Sequence, residues 1–304
     1  MKRPVLSDSM RGNTALLLAT LAWGTTFVVQ RTAMDHLGPF TYSGLRFLLG
    51  ALFLLPFALY RYRTRKVRPA PVHLAFGASL LTGFLVFLGI NLQQIGLVSS
   101  TAGKGGFITG LYVIIVPIYG VFFGQRAGPG VWTGALLAVA GLYLLSVTGG
   151  IGGLAPGDGW ILAGAFVWAL QVHALSWLSP KMDWLLLALG QSLVCSLFSL
   201  GVGLVLEPVT FAAVSEAGFD ILYGGIVSVG IGYTLQVVGQ RYARAAHAAI
   251  IMQMEAVVAV GAGWLFLGEV LTPRGMVGCL LMLAGMLVAE LVPVPGRERS
   301  GPGG

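Results

Sequence analysis

Ten long stretches almost free of charge run through the chain. They lie approximately at Asn13 to Ala33, Thr41 to Tyr60, Val72 to Leu97, Ser100 to Phe123, Gly130 to Thr148, Gly157 to Leu178, Trp184 to Leu206, Gly218 to Gly239, Arg244 to Leu267 and Arg274 to Val292. A bilayer core of about 30 Å is crossed by roughly 20 apolar residues in a helix rising about 1.5 Å per residue, and each stretch is near that length. In hydrocarbon every backbone polar group must be answered within the protein, which makes such stretches helical. Charged residues are only 10% of the 304, against roughly 25% in soluble domains, too few to clothe a water-facing surface. The chain is therefore expected to be an all-α integral membrane protein of ten transmembrane helices.

The net charge of +7 raises the question of a nucleic-acid partner, and the position of the charges answers it. With the amino terminus in the cytoplasm and alternating sides, most basic residues, among them Arg61, Arg63, Arg65, Lys66 and Arg68, fall on cytoplasmic loops. Only Arg31, Arg46, Lys104 and Arg274 lie elsewhere, while Asp35, Asp158, Glu207, Glu216, Asp220 and Glu269 gather on the opposite side. The basic excess thus encodes orientation, with both termini cytoplasmic, and no nucleic-acid surface is expected. Cys195 and Cys279 fall inside spans without a CxxC pair or a neighbouring histidine, so neither a metal nor a cofactor is expected. The basic start at Lys2-Arg3 is followed by an apolar run too long for a signal peptide, and reads as the first span.

An internal repeat fixes the architecture. The segment from Gly96 aligns with that from Gly239: Gly96 with Gly239, Ala102 with Ala245, Gly120 with Gly263 and Phe123 with Phe266. After a one-residue insertion Pro129 meets Pro273, Gly134 meets Gly278, Ala140 meets Ala284 and Gly141 meets Gly285. Upstream, Trp23 pairs with Trp168 and Gln93 with Gln236. The copies are 12–149 and 157–292, followed by a short cytoplasmic tail at 293–304. Each holds five spans, an odd number, so the second copy enters from the opposite side, a 5+5 inverted repeat about an axis in the membrane plane. Repeats of this kind let a midplane site face each side in turn, by alternating access.

These residues also carry a family resemblance. Trp23-Gly24, "LRFLLGALFLLP" from Leu45, "GLYVIIVP" from Gly110 and "MEAVVAVGAGWLFLGE" from Met254 followed by "LTP" resemble the drug/metabolite transporter superfamily, EamA-type, over nearly the whole chain. The resemblance implies ten helices in two inverted fives, a bacterial inner membrane, and export or exchange of amino acids or related metabolites through a central cavity. One departure is Ala256, where many relatives carry proline after the glutamate.

Ionisable groups within a bilayer are costly and therefore functional candidates. Glu255 sits near the middle of the ninth span, with Tyr112 as its repeat mate in the fourth. Facing a cavity it would exchange a proton or neutralise a cationic group of the cargo; the plainer reading is a carboxyl pinning two helices together. Lys104 and His247 are also mates, each eight residues before those positions, or about 12 Å along the helix. They are candidates for gates or proton coupling at opposite mouths, or else a snorkelling lysine and an interfacial histidine. Asn91, Gln93 and Gln94 in the third span and Gln236 with Tyr233 in the eighth carry polar groups that must face protein or a wet cavity. With Trp23 and Trp168 they form the expected lining of a substrate cavity. Arg46, whose mate is the neutral Gln191, reads as structural, paired with Asp35 or backbone carbonyls. His173, beside Gln171, reads as a buried histidine with a local partner.

Other classes are less well supported. Gly103-Lys104 has Val98 and Gly105 where a Walker A motif needs glycine and Ser or Thr, so no ATP use within this chain is expected. A membrane enzyme would need clustered acids and histidines, yet His73 and His247 have no acidic residue in the four positions after them. A non-transporting scaffold would not require polar residues in mirrored mid-span positions. The 45 glycines suit helix packing within or between chains alike, leaving monomer and homodimer both open.

Overall fold

The computed structural model describes residues 8–64, 71–100, 102–125, 127–146, 156–258 and 272–292; the tail expected at 293–304 lies outside them. Six helices are long and apolar enough to cross a membrane: α1 (Asp8–Ala33), α2 (Pro39–Arg63), α3 (Val72–Ser99), α6 (Asp158–Lys181), α7 (Trp184–Leu206) and α8 (Gly218–Gln240). Among the described residues four shorter apolar helices join them in chain order, α4 (Ile108–Phe122), α5 (Pro129–Leu144), α9 (Ala245–Val258) and α10 (Pro273–Ala289). Leu197, Leu204 and Val205 on α7 are largely exposed, as suits helices whose surrounding solvent is lipid. The buried interior instead collects polar side chains, including Gln30, Arg46, Gln93, Gln171 and Gln236.

Because lipid is as apolar as leucine, helices here are drawn together by close van der Waals fit rather than by exclusion of water. The pair α5 and α10 illustrates it. Gly134 lies against the backbone of Gly285, and Gly141 against that of Gly278, so a side chain at any of these points would force the helices apart. One numbering rises as the other falls, and the two helices run antiparallel. The same holds for α2 and α7, where Gly44 faces Leu200, Gly203 faces Thr41, and Ser196 Oγ donates to the Gly44 carbonyl at 2.9 Å. Elsewhere α1 packs on α8, α3 on α6, α3 on α7 and α2 on α8.

Several helices are not regular throughout. In α1 a turn at Thr25 separates Asp8–Gly24 from Thr26–Ala33. There the Thr25 hydroxyl lies 2.5 Å from the Tyr223 hydroxyl and bonds back to the Leu21 and Ala22 carbonyls, a competition known to bend helices. The fourth helical stretch turns at Leu111, between Ala102–Gly110 and Tyr112–Phe122, and the ninth at Gln253 and Met254. Tighter bonds, Leu111 N to Ile108 O and Met254 N to Ile251 O, mark both turns. Within α8, Gly224–Tyr233 winds as a π-helix, a form that collects at functional sites.

Candidate substrate cavity

The irregular points converge. Trp23 precedes the turn in α1, Tyr112 follows the one at Leu111, Glu255 follows the one at Met254, and Tyr233 ends the π-helical stretch. All four line one interior cavity of about 530 Å³, open space at its mouth included, together with Gln30, Arg46, Gln93, Thr109, Trp168, Gln171, Ser228, Gln236 and Met252.

Aromatic rings make most of the wall. Tyr233 stands among Trp23, Phe47 and Trp168, with ring centroids 5.0, 5.3 and 6.4 Å away. Both tryptophans are held by their indole N–H groups. Trp23 Nε1 donates to the Ser228 carbonyl on α8 at 3.2 Å, and Trp168 Nε1 donates to Gln93 Oε1 on α3 at 3.2 Å. Gln93 passes the chain on, donating from Nε2 to Gln30 Oε1 at 3.3 Å. Opposite, Gln171 and Gln236 donate to each other at 3.4 and 3.2 Å. The amides therefore answer one another, as buried polar groups must.

Glu255 keeps some accessible surface although protein surrounds it on all sides; the cavity it lines supplies that surface. Tyr112 and Tyr233 lie within electrostatic range of its carboxyl, and among the described residues no base forms an ion pair with it within 4 Å.

A second, wider cavity of about 1780 Å³, much of it open, is lined by Val116, Pro117, Ser176, Gln240, Arg241, Arg244, Ala245 and His247 among others. One apolar cluster spans the two, contributing Tyr112, Val172 and Met252 to the inner cavity and Val116 and Ala245 to this vestibule. His247 is tied to the Ala289 carbonyl at 2.9 Å. Its mate Lys104 lies in the helix Ala102–Gly110, with its side chain outside the described residues.

Both copies of the repeat are matched by the EamA-like transporter family, over residues 10–147 and 155–290. The chain belongs to that family. A relative from Archaeoglobus fulgidus, described as an uncharacterized transporter, is 30% identical over 281 residues, spanning 91% of this chain and 84% of its own. A probable amino-acid metabolite efflux pump of Salmonella typhimurium is 26% identical, covering 90% of this chain and 92% of its own. A solved crystal structure superposes with a TM-score of 0.75 at 20% identity, over 92% of this chain and 96% of that one, and shares the fold. The protein is thus an EamA-like membrane transporter, a multi-pass protein of the bacterial inner membrane.

Of the nine residues expected to line a substrate cavity, the structure brings seven together around this pocket: Trp23, Gln93, Tyr112, Trp168, Tyr233, Gln236 and Glu255. Asn91 and Gln94 do not line it. Asn91 donates to the Phe87 carbonyl and to Ser199 Oγ on α7, both at 2.8 Å, and Gln94 turns to Met34 Sδ at 3.6 Å. A helix advances about 100° per residue, so Asn91 points roughly 200° away from Gln93 and faces a different neighbour. Of the two partners expected for Arg46, the carboxylate is not one it meets. Asp35 is taken by Arg31 at 2.8 Å, and Arg46 lines the cavity instead. Gln30 was missed, although it lies two helical turns beyond Trp23 on the same face. His173 is buried, its Nε2 lying 2.8 Å from the Val116 carbonyl on α4 rather than from a local partner.

Proposed function

We propose that the protein is a secondary exporter of small amphiphilic metabolites, amino acids or close relatives, working by alternating access between two inverted five-helix copies with cytoplasmic termini. The observation that carries this reading is the cavity itself: an aromatic wall with a carboxylate, placed where α1, α4 and α9 are interrupted. Interrupted helices at mid-depth are a recurrent way for transporters to build a site, because they free backbone groups and permit local bending.

Two further features support the inverted arrangement. Gly134 and Gly141 align in sequence with Gly278 and Gly285, yet pack crosswise on Gly285 and Gly278, a contact that maps onto itself when the copies are exchanged. The tryptophan mates behave alike: Trp23 of the first copy bonds to α8 of the second, and Trp168 of the second to α3 of the first. Amino acids are favoured by the name of the Salmonella relative and by the joint presence of apolar, cationic and anionic surfaces in one pocket. Glu255 serves as the proton-coupling residue, carrying a proton inward as cargo leaves.

Transport in proteoliposomes, with and without an imposed pH gradient, tests the scheme. The wild type should accumulate labelled L-leucine faster with the gradient, and Glu255→Gln should transport at a rate the gradient no longer changes. Equal acceleration of both proteins would remove Glu255 from the coupling step.

A further inference from the structure

Arg46 is 1% exposed, and its position is unusual for a structural arginine. A buried guanidinium is ordinarily answered by carboxylates or carbonyls, because an unpaired charge in a low-dielectric interior is expensive. Here Nε and Nη2 find no acceptor among the described residues, and no described carboxylate lies within ion-pair distance. The nearby acids are engaged elsewhere: Asp35 with Arg31, Asp220 with Thr32, and Glu207 with the backbone at Phe40 and Thr41. The cavity amides are spent on one another and on Trp168. The guanidinium is held by a side-chain hydrogen bond with Tyr42 and by ring contacts, its carbon 4.9 Å from the Tyr42 ring centroid and 5.5 Å from that of Phe47. The ring contacts steady the cation while leaving Nε and Nη2 unused. Among the cavity-lining residues Thr109 Oγ1 is likewise buried without a partner.

We propose that Arg46 is the anion subsite of this cavity, receiving a carboxylate of the cargo through its unused guanidinium N–H groups, with Thr109 a further polar group lining the same cavity. Resting as it does on the transport reading, the proposal adds a selection rule. An arginine fork matches a carboxylate in a planar, two-bond geometry, so cargo lacking that group leaves the buried charge unanswered and is rejected. Glu255 lines the same cavity without pairing to Arg46, which leaves room for the opposite charge of a dipolar cargo. Tyr233, within electrostatic range of both, stands where the body of the cargo would rest.

The test uses the full chain in nanodiscs and a matched set of probes: L-leucine, isopentylamine, which lacks its carboxylate, and 4-methylpentanoate, which lacks its ammonium. Binding is read by quenching of intrinsic tryptophan fluorescence, with counterflow in proteoliposomes alongside. In the wild type the amine should bind about a hundredfold more weakly than leucine, the scale of losing one partner of a desolvated charge pair. Arg46→Lys, which keeps the charge and loses the fork, should weaken leucine binding roughly tenfold and leave amine binding unchanged. An amine that binds as well as leucine overturns the proposal without need of any variant. So does an Arg46→Lys protein, shown by its thermal transition to be folded, that retains wild-type affinity for leucine. Failure of the transport reading shows differently: none of the probes would then be moved in counterflow.

Discussion

The two ends of the helix bundle are held in different ways. At the end carrying Glu207 and Asp220, side-chain acids are drawn into short contacts that knit neighbouring segments together. Glu207 accepts from the Phe40 and Thr41 N–H groups at 3.0 and 2.7 Å, Ser100 Oγ donates to Asp158 at 2.6 Å, Thr32 Oγ1 donates to Asp220 at 3.0 Å, and His36 meets Glu216 at 3.2 Å. At the other end a vestibule opens between α4, α6, α8 and α9, lined by Arg241, Arg244 and His247. A buried tie at that end is Arg61 to Asp183 at 2.7 Å, between the end of α2 and the start of α7. One end is closed by many modest polar bonds, while the other is wide and basic. Under the alternating access proposed above, this describes one of two states, and the polar bonds at the closed end are those that would break to reach the second. Their strengths rank the expected effects.

The largest belongs to Glu207. Helix α2 begins at Pro39 behind Gly38, which has no side chain to cap the first turn, and the carboxylate of Glu207, just past the end of α7, fills that role. Gly38 is needed for this, since a β-carbon there would collide with the carboxylate. Two hydrogen bonds to a charged acceptor amount to about 3 kcal/mol. Glu207→Ala should therefore lower the unfolding free energy in mixed micelles by about that much. A cysteine at Ser228, in the cavity wall, should also react faster with a membrane-impermeant maleimide added outside. Unchanged labelling together with lost stability would make Glu207 a helix cap with no part in closing that end.

Glu207 also shows where reading the sequence stops. Glu255, Tyr112, Gln93, Gln236 and the two tryptophans could be found because a polar or aromatic residue at mid-span, repeated in a second copy, is costly unless it faces a cavity. Asn91 and Gln94 shared their depth but not their direction, and depth alone does not reveal which helix lies opposite. Arg46 was expected to pair with Asp35 or with backbone carbonyls, whereas Tyr42 and Phe47 on its own helix and the cavity surround it. The interruptions at Thr25, Leu111 and Met254 and the π-helical stretch of α8 leave little trace, for no proline or charge run marks them in the sequence. The bends arise from what packs alongside, such as the Tyr223 hydroxyl against Thr25.

A smaller effect is expected at the vestibule rim. Asp183 is almost fully buried, and one of its oxygens already accepts from the Leu185 and Leu186 N–H groups as the cap of α7. Arg61→Ala removes the ion pair and the stacking on Trp184, 5.2 Å away, but leaves that cap in place. The loss should be about 1.5 kcal/mol, summing a partly exposed ion pair and one cation–π contact. A loss as large as that at Glu207 would mean that the open end is held as firmly as the closed one, and would undo the contrast between them.

The smallest effect tests whether every polar contact at the closed end counts. His36 and Glu216 meet at 3.2 Å, yet their side chains are 37% and 64% exposed, so water and salt screen whatever attraction a protonated imidazole would feel. Surface pairs of this kind contribute between nothing and about 0.5 kcal/mol, and each side chain loses rotamer freedom to form one. His36→Ala should leave both stability and outside labelling of the Ser228→Cys reporter within error of the parent, at low and high salt alike. An increase in labelling as great as that from Glu207→Ala would show that closure depends on the rim pair. The closed end would then be a chain of equal links, instead of one anchored mainly where a carboxylate caps a helix.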